Sequence, residues 1–169
     1  LGVSTGMRAC DIVNLKLSDI DWLRGELHLV QKKTANPVVL PLMQDVGEAL
    51  KEYILNARPD IDSEYVFLTT QYPIRKLAEG TCLGFIFKKY EDMAGIKRQP
   101  FDGKGFHSLR RRIATKMVIA GVPVTTVSQV LGQMKMDSAK HYLVFGTENL
   151  RECAISLAGI EVAGGVFND

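Results

Sequence analysis

The sequence predicts a mainly α-helical domain with a small antiparallel β-sheet, an α+β fold. Several long segments repeat apolar residues at helical spacing, whereas residues 26–30 and 38–42 are short, apolar and bounded by turn-forming residues, as strands are. At 169 residues and 46% hydrophobic content, the chain is long enough for one well-formed core and short for two. We therefore expect residues 1–169 to form a single domain.

The first predicted elements are short. LGVSTGMR begins with an apolar stub and a turn-like STG, without a helix cap, and suggests a chain truncated at its N-terminus. A first helix is expected over residues 9–17, where apolar residues have helical spacing. The strands ELHLV (26–30) and VVLPL (38–42), joined across QKKTANP, predict a β-hairpin with two lysines at its tip.

The rest of the chain is predicted to be helical. Residues 108–122 have a plausible N-cap in Ser108 and a stop in Gly121. The helices expected after the hairpin cover residues 43–59, 81–96, 108–122, 124–131, 137–144 and 147–158.

Composition excludes several classes of protein. The sequence has no apolar run of about 18 residues and no export leader, so we expect a soluble, cytoplasmic protein without a membrane partner. Cys10, Cys82 and Cys153 are odd in number, widely spaced and without a CxxC pair, which argues against a disulfide framework or a zinc site. We interpret them as reduced, mostly buried thiols.

The positive charge is concentrated in one segment. Residues 88–116 carry nine basic and three acidic residues, a local excess of +6 in a chain whose net charge is +2. A basic field on a nearly neutral body fits a protein that binds phosphate groups, although such a cluster is also typical of a solvated helical face.

Four residues have the chemistry to bind or activate a phosphate. In FHSLRRR, His107 is expected at a helix entrance and Arg110 one turn later, so both can face one point near the positive end of the helix dipole. Arg8 follows the STG turn and can offer a bidentate fork to phosphate oxygens, and Lys33 can reach a groove from the hairpin tip. Each signal is weak alone because these short patterns recur by chance.

Their order along the chain is far more specific. TGMRACDIVNLKLSDID, QKKTANPVVLPL, HSLRRRIAT and LGQMKMDSAKHY follow one another in the sequence, and the last of them ends in Tyr142. With these four motifs the chain resembles the catalytic domain of the tyrosine recombinase (phage integrase) family over about 140 residues.

The resemblance implies a role for seven residues. The implied catalytic set consists of Arg8, Lys33, His107, Arg110, Gln133 and the nucleophile Tyr142, with Gln133 standing where the family usually has histidine or tryptophan. Asp11 is the implied supporting residue, which would orient the active site. We also expect Lys32, Arg111 and Arg112 to contact DNA. Lys32 is the neighbour most easily confused with the catalytic lysine, and counting back from LPL favours Lys33.

The implied activity is site-specific cleavage and rejoining of DNA through a 3′-phosphotyrosyl intermediate, as in the integration or excision of a phage or mobile element. No cofactor or metal is expected, since the arginines and the lysine supply positive charge. The implied partners are double-stranded DNA and a homotetramer on paired sites, and the family's separate N-terminal DNA-binding domain is not expected in this chain. Relaxation of DNA like that of a type IB topoisomerase, or a non-catalytic DNA-binding role, are the alternatives.

Overall fold

The predicted hairpin is present and belongs to a three-stranded antiparallel sheet. Strands β1 (Ile20–Asp21), β2 (Glu26–Val30) and β3 (Pro37–Pro41) lie in the order β1-β2-β3, with Leu27 of β2 opposite Leu40 of β3. The computed structural model describes residues 1–80, 82–99 and 103–132. Strand β1 was not predicted, because two residues are too few to show an alternating pattern.

Within the part of the chain that the structure describes there are six α-helices. Their bounds are α1 (Gly2–Thr5), α2 (Ala9–Val13), α3 (Gln44–Glu52), α4 (Cys82–Met93), α5 (Phe106–Ile119) and α6 (Val124–Val130). A short 3₁₀ turn (Leu17–Asp19) follows α2, and a π-helical turn (Tyr53–Ala57) extends α3. The helices predicted over 43–59, 81–96 and 124–131 are therefore confirmed in position, and those predicted over 137–144 and 147–158 lie outside the described residues.

Three local predictions were wrong. The N-terminal stub is the short helix α1, which ends at Gly6 in a left-handed conformation (φ 64°). Helix α2 ends at Val13 rather than near residue 17. Helix α5 starts at Phe106 with Gly105 as its N-cap, so Ser108 lies inside the helix and does not cap it. A glycine N-cap leaves no side-chain oxygen in the sequence to mark the helix start.

The core lies between the sheet and the helices of the N-terminal part of the chain. Leu27, Leu29 and Leu40 alternate with exposed residues on β2 and β3, and they pack with Ile12 and Leu15. A smaller cluster of Ala114, Val127 and Leu131 joins α5 to α6. The two clusters pack these strands and helices together. The candidate site lies at the ends of α2, β2, α5 and α6.

Two further observations concern membrane-spanning helices and the cysteines. Among the residues that the structure describes, no helix is long and apolar enough to cross a membrane. Cys10 and Cys82 are free thiols, but they are half-buried rather than mostly buried as we expected. Cys153 lies outside the described residues.

Candidate active site

Arg8 is held at the start of α2 by contacts from two distant segments. It is the N-cap of α2, and its side chain is 15% exposed. Its Nη1 donates to the side-chain oxygen Oε1 of Gln31 (2.9 Å), and its Nη2 donates to the backbone carbonyl of Gly132 (2.8 Å). A guanidinium has five N–H groups, so within the described residues three of those of Arg8 remain for an anion.

Arg110 lies directly beside this arrangement. Its side chain is buried (residue 3% exposed), and its Nη1 donates to the carbonyl of Gly6 (3.0 Å). Its Nη2 donates to the carbonyl of Leu131, which precedes the residue that accepts from Arg8. Buried arginine is rare without such partners, and the carbonyl dipoles compensate part of its desolvation. The two arginines predicted to bind phosphate are thus brought to the same turn.

Two glycines make this approach possible. Gly6 and Gly132 both have left-handed backbones, with φ of 64° and 59°. A Cβ at Gly132 would collide with Oε1 of Gln31. Glycine at 132 therefore satisfies both its backbone conformation and the close packing of the Gln31 side chain.

Asp11 connects α2 to the hairpin. This residue is only 4% exposed, and Oδ2 of its carboxylate lies 3.9 Å from Nη1 of Arg8. Its Oδ1 accepts a hydrogen bond from the backbone N–H of Lys32 (2.9 Å). The orienting role implied for Asp11 agrees with these contacts, since one carboxylate touches both the arginine and the lysine-bearing segment.

The two hairpin lysines have different environments. Nζ of Lys32 forms an ion pair with Oε1 of Glu79, whose carboxylate also accepts from Nδ2 of Asn14 (3.0 Å). The hydrogen bonds from Lys32 and Asn14 lower the pKa of Glu79 to about 2. Lys33 is exposed and, within the described residues, makes no hydrogen bond or ion pair. Lys33 is therefore the better placed of the two to engage a substrate.

His107 lies in the first turn of α5, at its positive end. Partial burial of its ring is the main cause that lowers its pKa below the ordinary value of 6.5, and the charge of Arg110 lowers it further. The charges of Arg111, Arg8 and Lys33 act in the same direction. His107 is thus neutral near pH 7 and surrounded by the cations with which it was predicted to act.

A cleft of about 420 Å³ adjoins this group of residues. Arg8 and His107 line one part of it, and Lys88 and Arg98 line another. Nε of Arg98 donates to Oε2 of Glu91 (2.6 Å), a carboxylate that is almost buried. The cleft is open to solvent, and besides these cations it is lined by the apolar side chains of Met7, Phe85 and Phe106.

The remaining predicted residues are distributed as follows. Arg111 and Arg112 are exposed on α5, and Arg111 donates to the carbonyl of Gly103. Gln133 and Tyr142 lie outside the described residues. No group of three or more metal-binding side chains occurs in the described ranges.

Two participants, Gln31 and Glu79, were not predicted from the sequence. Gln31 is 4% exposed and follows the end of β2, where it looks like an ordinary polar residue before two lysines. Glu79 lies in a loop 47 residues from Lys32. The sequence indicated little about either residue. Gln31 is a polar residue at the end of a buried strand, and Glu79 is an acid in a chain whose basic residues are clustered.

The sequence is similar to a known protein family. The sequence matches the profile described as "Phage integrase family" over residues 1–145. It is 34% identical over 158 residues to a Sinorhizobium fredii protein named as an integrase/recombinase (y4gC), covering 94% of this chain and 80% of that protein. It is 31% identical over 147 residues to the tyrosine recombinase XerA of Thermococcus onnurineus, covering 87% of this chain and 49% of that protein.

Solved structures share the fold. The XerH site-specific recombinase bound to palindromic difH substrate superimposes with a TM-score of 0.72 at 22% identity, covering 90% of this chain and 42% of XerH. The chain thus spans about half or less of the length of XerA and of XerH. The mainly helical fold with a small antiparallel sheet is confirmed.

Proposed function

The chain belongs to the phage integrase family, and on that premise we propose that it forms the catalytic domain of a tyrosine-type site-specific DNA recombinase. The substrate is double-stranded DNA, and the reaction is cleavage and rejoining of its strands during the integration or excision of a phage or other mobile element. Relatives of the chain are named as integrases or recombinases.

One observation carries the proposal: Arg8 and Arg110, 102 positions apart in the sequence, are both anchored on the Leu131–Gly132 turn. Two guanidinium groups on one turn form a site for the non-bridging oxygens of a phosphate, and they stabilise the negative charge that grows on those oxygens in the transition state. The next residue in the chain is Gln133, and Tyr142 follows nine positions later.

The other residues are proposed to supply the nucleophile and the two proton transfers of the reaction. The oxygen of Tyr142 attacks the phosphorus, the bond to the 5′ oxygen breaks, and a 3′-phosphotyrosyl ester forms. Neutral His107 accepts the tyrosine proton, and Lys33 donates a proton to the departing 5′ oxygen. Gln133 donates its amide N–H to a phosphate oxygen, and Asp11 orients Arg8. No metal is needed for these steps, since cationic side chains provide the charge.

The binding residues and the assembly complete the proposal. Lys32, Arg111 and Arg112 bind phosphates of the duplex outside the cleaved position. Recombination requires two paired DNA sites, so we propose that the protein acts as a homotetramer. We further propose that it acts in the cytoplasm. Residues 147–158, with apolar Leu150, Ile155 and Leu157, are a candidate for exchange between subunits. Removal of residues 147–169 is then expected to impair recombination more than single-strand cleavage.

A nicked suicide substrate tests the catalytic part of the proposal. When cleavage releases a short strand from such DNA, rejoining stops and the full-length protein remains attached covalently. Tyr142→Phe removes only the attacking oxygen, so the adduct is expected to disappear while DNA binding is retained. An adduct that persists in Tyr142→Phe would assign the nucleophile to another residue.

Two other outcomes would overturn the proposal. A wild-type protein that binds DNA but forms no adduct would be a non-catalytic relative. A protein that forms the adduct and relaxes supercoiled DNA without exchanging strands between sites would be a topoisomerase of the type IB class.

A further inference from the structure

Gln31 occupies a central position among the catalytic candidates although it carries no charge. The residue is 4% exposed, and its Oε1 accepts two hydrogen bonds. One comes from Nη1 of Arg8 (2.9 Å) and the other from Oγ1 of Thr34 (2.9 Å). Thr34 is the neighbour of Lys33 on the hairpin tip, so a single amide oxygen joins the arginine to the segment that carries the lysine.

Gly132 packs directly against the Gln31 side chain. Its carbonyl accepts from Nη2 of Arg8 (2.8 Å), and a Cβ at this position would overlap Oε1 and lie 2.6 Å from Nε2 of Gln31. The Gln31 amide is therefore packed against the backbone that also holds Arg8.

The backbone of Gln31 adds a second connection to the hairpin. Its N–H donates to the carbonyl of Asn36 (2.9 Å), and its carbonyl accepts from the N–H of Ala35 (2.8 Å). These bonds set the start of the hairpin tip. The same residue thus shapes the tip with its main chain and contacts Arg8 with its side chain.

From this geometry we propose that Gln31 is a positioning residue, which fixes the guanidinium of Arg8 and ties its orientation to the hairpin that carries Lys33. The inference rests on the proposed function, because it assigns Gln31 a part in the same reaction. A neutral amide suits this role because its oxygen orients the guanidinium without neutralising it. A second carboxylate beside Asp11 would instead cancel charge that is needed for the phosphate.

Gln31→Met tests the proposal, since methionine has a similar length and no hydrogen-bond acceptor of comparable strength. The single-turnover rate of cleavage at saturating DNA is expected to fall by about 10- to 100-fold, with the Kd for DNA changed by less than about twofold. The matched control is Gln44→Met, which replaces an exposed glutamine on α3 whose amide donates to Glu48 (3.0 Å). Its cleavage rate is expected to equal that of the wild type.

A double-mutant cycle separates positioning from a general structural role. If Gln31 acts through Arg8, Gln31→Met should lose its effect on the cleavage rate in an Arg8→Ala background, in which adducts are followed over hours. A purely structural role predicts the same fold-loss in both backgrounds and would overturn the proposal.

Thr34→Val keeps the test decisive if Gln31→Met does not fold. It removes only the hydroxyl that donates to Gln31, and a rate loss of about 3- to 10-fold is expected, again absent in the Arg8→Ala background. A Thr34→Val rate equal to wild type would overturn the link to the hairpin, and a Gln31→Met rate equal to that of Gln44→Met would overturn the proposal as a whole. A wild-type protein without any adduct would instead reject the proposed function.

Discussion

Arg8 and Arg110 donate hydrogen bonds to the carbonyl oxygens of two consecutive residues, Gly132 and Leu131. Two like charges on adjacent carbonyls repel each other, and the carbonyl dipoles reduce this repulsion only in part. On the proposed function, a bound phosphate would compensate the remaining charge. The two guanidinium groups would then already be in place before DNA binds, so we expect little reorganisation during the reaction.

The fork geometry of these arginines is expected to matter more than their charge. Arg8→Lys and Arg110→Lys keep the charge but lose the planar bidentate donor, so cleavage should fall by about two to four orders of magnitude with little change in DNA affinity. Single-turnover cleavage and a binding assay measure the two effects, and thermal unfolding checks the buried Arg110 variant. Arg24→Lys, at an exposed residue near β1, is the control. Near-wild-type cleavage by Arg110→Lys would make that arginine structural.

The two hairpin lysines are expected to differ in function. Lys33→Ala removes the proposed proton donor and should slow cleavage by about 10²- to 10⁴-fold, whereas Lys32→Ala should mainly weaken binding. A substrate with sulfur in place of the bridging 5′ oxygen tests the role directly, because a thiolate leaves without being protonated. Sulfur should restore cleavage by Lys33→Ala. If it restores Lys32→Ala instead, the two assignments must be exchanged.

The pKa of His107 provides a test of the local field. Burial and neighbouring cations lower this pKa below 6.5, so the native state disfavours the protonated ring. As the pH falls from about 6.5 through the lowered pKa, the stability of the fold and the ability of His107 to accept a proton are therefore both expected to decline. Arg111→Gln removes one of these cations and should raise the pKa, as measured by NMR titration of the ring. Arg112→Gln, which removes the same charge from the adjacent exposed arginine, is the control. An equal response to both changes would refute a specific effect of Arg111.

Much of the fold followed from local patterns. The hairpin was identified correctly from two short apolar segments bounded by turn-forming residues, although β3 covers Pro37–Pro41 and not residues 38–42. Helix α5 was recognised by its spacing, but its start was misplaced because Gly105 caps it without a side chain. Local sequence therefore identified the hairpin and the longer helices, whereas the short elements α1 and β1 and the ends of the helices left too little signal in the sequence.

The contacts within the site could not be predicted in the same way. Arg8 meets Gly132 across 124 positions of sequence, and this pairing exists only after the helices have packed. The order of motifs identified Arg8 and Arg110 as catalytic candidates, yet it gave no indication of Gln31, which lies between Arg8 and the hairpin. Likewise, the difference between Lys32 and Lys33 depends on Glu79, a loop residue far from both in sequence.

Glu79 is expected to limit DNA binding by holding Lys32. The pKa of Glu79 is lowered to about 2, so its stabilising interaction is present above its ordinary value near 4.5 and is lost as the pH falls toward 2. Because the pair is exposed, its effect on stability at neutral pH should be small. Glu79→Gln removes a negative charge and releases Lys32, which should raise DNA affinity and steepen the dependence of log Kd on log salt by about one.

The salt dependence of DNA binding also distinguishes the release of Lys32 from a general change in net charge. Glu48→Gln removes an exposed carboxylate on α3, where it pairs with Gln44, and serves as the control. Both variants change net charge equally, but only Glu79→Gln frees a lysine at the hairpin tip. Equal slopes for the two variants would mean that Lys32 does not reach the DNA.

Gln133 offers the last test, at the position where the family usually has histidine or tryptophan. In the sequence this residue directly follows Gly132, whose carbonyl accepts a hydrogen bond from Arg8. A glutamine amide donates a hydrogen bond as those rings do, and the positive charge it cannot supply is small beside two arginines and a lysine. Gln133→His should therefore be roughly neutral, while Gln133→Ala should lose about 1 to 3 kcal/mol of transition-state stabilisation, the usual scale for one donor. Single-turnover cleavage measures both, with Gln129→Ala, an exposed residue of α6, as the control. An unchanged Gln133→Ala rate would exclude a phosphate contact, and a large gain by Gln133→His over a nearly inactive wild type would identify a degenerate recombinase.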